Sequence, residues 1–204
     1  MTQPTPEAPR PQPISPAEQV RPLVRTRQYR EFTGDPPDQA ALEAITEVAR
    51  WSGSSNNEQP WRFIVIRSPE TLRRIAAAGL PQTRPLLTAP AAIAIALPVD
   101  HDRAISRAFD DGRAAERMLI AASMLGLGAG VAWIRPDVRD GVGELLGLPA
   151  DRFVRTLLAV GHPTDAARRP KSAPGQARLP REQVVFEERW PTAQPGEAPL
   201  SSEA

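Results

Sequence analysis

The chain contains no cysteine, two histidines and a single lysine, Lys171. Without cysteine there are no disulfides, no thiolate nucleophile and no iron–sulfur ligation, a composition that fits a reducing, cytoplasmic setting. The two histidines do not assemble a metal centre. His101 stands in Asp100-His101-Asp102 with no third ligand evident and reads as loop, and His162 in Gly161-His162-Pro163 reads as a turn. An excess of one charge is also missing. Lys and Arg total 25 against 24 acidic residues, so nothing electrostatic points to nucleic acid. The longest apolar stretch, Ala89 to Val99, is too short to cross a bilayer, and the first twenty residues hold no secretory h-region. Neither a G-x-S-x-G elbow nor a P-loop occurs.

What is present suits one medium domain with a proper core: 204 residues, 41% of them hydrophobic. Proline is abundant and falls largely in the tails. Residues 1–13 are expected to be a disordered Pro-rich tail, 14–190 the folded domain, and 191–204 a second disordered tail. Ser15-Pro16-Ala17-Glu18 is a capping box that opens a helix running to about Arg25. Asp38 caps the next helix, on which Leu42, Ile45 and Ala49 recur at helical spacing, and Ser68-Pro69 opens a third that ends near Gly79. Trp61–Ile66 and Ala91–Leu97 read as buried strands. A long helix is expected from about Arg103 to Leu125, with Ile105, Phe109, Gly112, Leu119 and Ala122 approximating one face and Asp110-Asp111 on a solvated face. Strands at Val131–Ile134 and Phe153–Val160 flank a helix over Val138–Leu146. Helices interleaved with four short strands give an α/β layered domain. The partly apolar tail through Val184–Trp190 suggests that a partner subunit completes it.

Three segments carry candidate chemistry. Arg25, Arg27 and Arg30 place three guanidiniums within six residues, suited to forking onto phosphate oxygens, or to forming a solvated basic turn anchored by Phe32. Between a helix end and a strand, Ser52 to Phe63 exposes Ser54, Ser55, Asn57 and Gln59, whose hydroxyls and amides match the edge of a planar heterocycle or simply cap a helix. Gly126-Leu127-Gly128-Ala129-Gly130 superficially suggests a dinucleotide loop. Its order is helix, glycines, strand, the reverse of what a pyrophosphate site needs, so these glycines end a helix and let a strand pass close to something flat.

Taken together, Thr26-Arg27-Gln28-Tyr29-Arg30-Glu31-Phe32, Gly53-Ser54-Ser55-Asn56-Asn57-Glu58-Gln59-Pro60-Trp61-Arg62-Phe63, Ala121 to Ile134, and Leu145-Leu146-Gly147-Leu148-Pro149 with Val160-Gly161-His162-Pro163 resemble, in order, the nitroreductase family of FMN flavoproteins. The resemblance implies an α+β fold with a central mixed sheet of four to five strands flanked by helices and completed by the C-terminal tail of a partner. It implies a homodimer with FMN at the interface. Arg27 and Arg30 would meet phosphate or ribityl, with Gln28 beside them and Arg178 as a late basic ligand. Gly53, Ser54, Ser55 and Asn57 would approach from the partner subunit, and Trp133 and Ile134 would lie near the ring. Gln28, Gly53 and Thr26 depart from the usual Ser, Pro and Arg. The implied activity is ping-pong hydride transfer from NADH or NADPH through FMN to nitroaromatic, quinone or similar acceptors, the flavin rather than any side chain carrying the chemistry. Two other readings are a flavin-dependent dehydrogenase or oxidase of a metabolite, and a flavin-binding protein without catalysis.

Overall fold

The computed structural model describes residues 14–173 and 178–191, so the tail expected at 1–13, and that at 191–204 apart from Pro191, lie outside it. Residues up to Arg168 form one compact unit and those from Arg169 a second.

The first unit begins with α1 (Pro16–Arg25), where the capping box is complete: Glu18 N donates to Ser15 Oγ at 3.3 Å and Ser15 N to the Glu18 carboxylate at 3.0 Å. α2 (Gln39–Arg50) buries Leu42, Ile45 and Ala49, and Asp38 stands at its N-cap without a side-chain bond. β1 (Arg62–Ile66), α3 (Pro69–Gly79), β2 (Ala91–Pro98) and the long α4 (Ala104–Met124) follow. Then come β3 (Gly128–Trp133), α5 (Arg139–Leu146), β4 (Arg152–Gly161) and a one-turn α6 (Asp165–Arg168). β3 starts three residues earlier than the apolar pattern predicts, because Gly128 already pairs with Gly161.

The sheet order is β1-β2-β4-β3, and each of these neighbours pairs antiparallel. The mixture of directions expected from the sequence is confined to one parallel bridge, Gln28 to Ala129. Helices cover both faces, so the central strands are apolar throughout rather than alternating. β2 turns Ala91, Ile93, Ile95 and Leu97 toward α2 and α4, and Ala92, Ala94 and Ala96 toward α3 and α5. The alanine face lets the second helix layer sit close. A register shift between Ile95 and Ala96 leaves Arg155 as an extra residue on β4, and its carbonyl accepts from Ile134 N at 2.7 Å.

α4 departs from its expected orientation. Asp110 and Asp111, expected in solvent, are buried at 1% and 4% exposure, whereas Ile105 and Phe109 are 79% and 65% exposed. The helix stands over the sheet with partners for both carboxylates, and its opposite side meets no other part of the chain's described core. Among the described residues no helix is long and apolar enough to cross a membrane. In the second unit a short 3-10 turn over Arg181–Gln183 precedes Phe186 and Trp190, whose rings meet edge to face at 4.9 Å.

Candidate functional site

The Arg-rich segment runs along the outer edge of β3. Tyr29 N donates to Ala129 O at 2.8 Å, and the Gln28 side-chain oxygen accepts from Val131 N at 3.2 Å. The glycines of β3 make this approach possible: a Cβ on Gly130 would stand 1.9 Å from the Tyr29 carbonyl oxygen. The object close to the glycine strand is therefore the chain's own backbone. Arg27 is committed internally, its Nε donating to Tyr29 Oη at 3.1 Å and its guanidinium reaching the carbonyls of Ala167 and Arg168. Arg30 differs. It lines a cavity of about 410 Å³ with Gln82, Arg84, Val131 and Trp133, and no described residue hydrogen-bonds its guanidinium. Arg84 is paired with Glu31 at 2.9 Å. Trp133 is 40% exposed, while Ile134 is fully buried in the core and its backbone is engaged, its N–H donating to Arg155 O and its carbonyl accepting from Arg139 Nε at 3.4 Å.

Ser54, Ser55 and Asn57 lie in the junction between α2 and β1. Ser54 Oγ accepts from Gln59 N at 2.9 Å and its carbonyl from Asn57 N at 3.1 Å, closing a tight loop. Asn56, Asn57 and Gln59 all take positive φ, at 51°, 55° and 51°. Each such residue costs about 1 kcal/mol, less for asparagine, and persists only where its surroundings hold it. The surroundings are α4. Ser55 N donates to Asp110 Oδ1 at 3.1 Å, Arg107 forms an ion pair with Glu58 at 2.8 Å, and Arg103 pairs with the other Glu58 oxygen. Sequence reasoning missed Arg107 and Asp110 of α4, Arg103 at its N-cap, and Glu58. Their partners stand 45 to 55 positions away, and the sequence does not show that their stripe faces this loop.

The two sets of candidate residues do not meet within one chain. Arg27, Gln28, Arg30 and Trp133 belong to the β3 edge, and the Gly53–Asn57 loop leads into β1 at the other. Three strand spacings, roughly 14 Å, separate those edges. Gly53 instead borders an apolar concavity of about 900 Å³ with Ile105, Phe109, Gly112 and Arg113. Arg178 belongs to the second unit, just ahead of its 3-10 turn.

Residues 23–96 match the family model described as the Nitroreductase family. A protein of Archaeoglobus fulgidus, named as a candidate NADH dehydrogenase/NAD(P)H nitroreductase, is 32% identical over 134 residues, 61% of this chain and 73% of that one. The chain belongs to the nitroreductase family. A second relative of this nitroreductase-family protein, the FMN reductase [NAD(P)H] of Bacillus subtilis, is 30% identical and covers 85% of the present chain and 74% of its own. Among solved structures, the FMN-dependent nitroreductase of Clostridium difficile R20291 superposes with a TM-score of 0.70 at 23% identity, covering 82% and 98% of the two chains. The α+β nitroreductase fold expected from the motifs is the fold observed, and the family member is an oxidoreductase.

Proposed function

We propose that this chain is an FMN-dependent NAD(P)H oxidoreductase of the cytoplasm, acting as a homodimer on nitroaromatics, quinones and similar small conjugated acceptors. The observation that carries the reading is Arg30 beside Trp133: a guanidinium unpaired among the described residues next to a partly exposed flat ring, in one cavity at the glycine-strand edge. The donor set fits FMN. Arg30 offers a forked cation to an anionic oxygen, and the Gln28 amide keeps its N–H donors after its oxygen is used by Val131. Hydroxyls of Ser54 and Ser55 and the Asn57 amide supply the polar contacts expected for a heterocycle edge. Bound FMN would supply hydride acceptance and donation, the step no side chain of this protein can perform. The chain's part is to bind, orient and keep water out, with Trp133 and Val131 forming an apolar wall.

A second copy is favoured by the separation of the two residue sets and by the apolar α4 face. Ile105 and Phe109 border the same concavity as Gly53, so a partner covering that face would lie against the loop, and in this reading it is the partner's β3 edge that completes the site there. Completion of the sheet by the partner's tail remains part of this proposal.

The test is a visible spectrum of the freshly purified protein, chromatographic identification of the released chromophore, and steady-state kinetics with NAD(P)H and a quinone. FMN and parallel double-reciprocal lines are expected. A colourless protein that stays colourless with added FMN would refute the cofactor, and intersecting lines would refute the ping-pong order.

A further inference from the structure

α4 and its N-cap residue carry a line of charged groups directed at the backbone and acids of the Trp51–Gln59 loop. Arg103, Arg107, Asp110 and Arg117 recur at intervals of four, three and seven, the spacing of one helix stripe. Asp110 Oδ1 accepts from Ser55 N at 3.1 Å and Arg117 donates to Trp51 O at 2.7 Å. Between them, Arg107 bonds Glu58 at 2.8 Å and Asp100 at 3.3 Å, and Arg103 pairs with Glu58. Arg107 and Asp110 are more than nine-tenths buried, and they face each other at 3.9 Å. Asp110 Oδ2 and Arg107 Nε and Nη1 have no hydrogen-bond partner among the described residues.

A partly satisfied buried charge network is a poor stability device, since apolar side chains of the same volume would serve a core better. Its use has to lie elsewhere. What the network does touch is the strained loop, at a carbonyl (Trp51) and an amide (Ser55) that precede the three left-handed residues and a side chain (Glu58) that lies among them. We infer that Asp110, with Arg107 and Glu58, is a positioning device that fixes the Ser54–Asn57 turn so that its hydroxyls and amide face a bound flavin. The ligand's identity rests on the function proposed above; the clamp itself does not. Asp111, the neighbouring buried acid, is directed elsewhere, accepting from Thr156 Oγ1 at 2.7 Å.

The experiment compares Asp110→Ala, Asp110→Asn, Glu58→Gln and Asp111→Asn by amide hydrogen exchange of residues 52–59 in flavin-free protein, and by FMN titration. Loss of a charged acceptor corresponds to about tenfold or more. Asp110→Ala should speed Ser55 amide exchange and weaken FMN by about that factor. Asp110→Asn, which retains an acceptor oxygen, should restore most of the protection and part of the affinity. Asp111→Asn should leave both readouts alone. If Asp110→Ala does not fold, Glu58→Gln and Asp110→Asn decide, the former being expected to loosen the loop by several-fold. Unchanged exchange and affinity in the Asp110 and Glu58 variants would overturn the inference, as would an Asp111→Asn defect of equal size. If the wild-type protein binds no FMN, the cofactor reading fails. Exchange at Ser55 still decides the clamp.

Discussion

Gly130→Ala tests the junction on which the β3-edge site depends. An added methyl would stand 1.9 Å from the Tyr29 carbonyl oxygen, a backbone atom that cannot swing aside as a side-chain tip can. Relief requires the 27–30 segment to move off β3, which breaks Tyr29 N to Ala129 O and Val131 N to the Gln28 side chain. Two hydrogen bonds at about 1 kcal/mol each, with about 1–3 kcal/mol of overpacking, amount to a loss of about 3–5 kcal/mol. For a chain of this length that is a fall in melting temperature on the order of 10 °C. Gly141→Ala is the control. It makes the same chemical change in α5, where nothing lies within 4 Å, and should stabilise by up to about 1 kcal/mol. Thermal unfolding followed by circular dichroism reads both, and FMN titration of the Gly130 variant should show weakened binding as Arg30 is carried away with its segment. A Gly130→Ala protein melting within about 2 °C of wild type would mean that the Tyr29 backbone is not held against β3, and the account of that edge would fail.

Replacing Phe109 with Glu should convert the protein to a monomer by light scattering and strip its flavin, because a charge would be placed in the centre of the exposed α4 face; a coloured dimer would move the interface elsewhere. Burial pushes the Asp111 carboxyl above the usual carboxylate range, against the opposing influence of Thr156, Arg155 and Arg139. The folded state therefore holds that proton more tightly than the unfolded state, so this residue lowers stability as pH rises from roughly 4 through its raised value. Asp111→Asn should abolish that fall and equal or exceed wild-type stability at neutral pH, measured by urea unfolding across pH; parallel curves for the two proteins would contradict it. Hydrogen bonds from Arg50 and then Trp51 hold the Glu47 carboxyl down to about 2. Its contribution is present above the ordinary glutamate range and disappears as pH falls toward that value, and a carboxyl NMR titration midpoint near 4 would show that the bonds do not form in solution.

The local signals in the sequence were strong where caps and turns act over a few residues. Ser15 with Glu18, Ser68 with Pro69, and the apolar run of Ala91–Leu97 each fix an element through neighbours in the chain. Contacts between distant segments were illegible. Asp110 and Asp111 look like a polar face because nothing nearby announces Ser55 or Thr156, and each acid leaves the helix about 100° from the other to reach a different partner. Ile105 and Phe109 fit a helical stripe as well as core residues do, and only packing shows which stripe is inward. Ile134 reads as an extension of the Trp133 strand, yet its alternate orientation sends it into the core. Strand order is likewise a long-range property: β3 and β4 are paired, and β4 rather than β3 lies next to β2.

That strand order has a genetic corollary. The β3 edge and the β1 edge carry different halves of the candidate site, so under the proposed assembly each complete site draws one half from either copy. A chain defective at Arg30 and a chain defective in the Ser54–Asn57 loop would each be inactive alone. Co-expressed, they would form mixed pairs in which one of the two sites is wholly intact, recovering roughly a quarter of normal activity after random pairing. Two lesions on the same edge would never rescue each other. Loss-of-function alleles of this protein would thus sort into two groups that complement across the sheet and not within an edge.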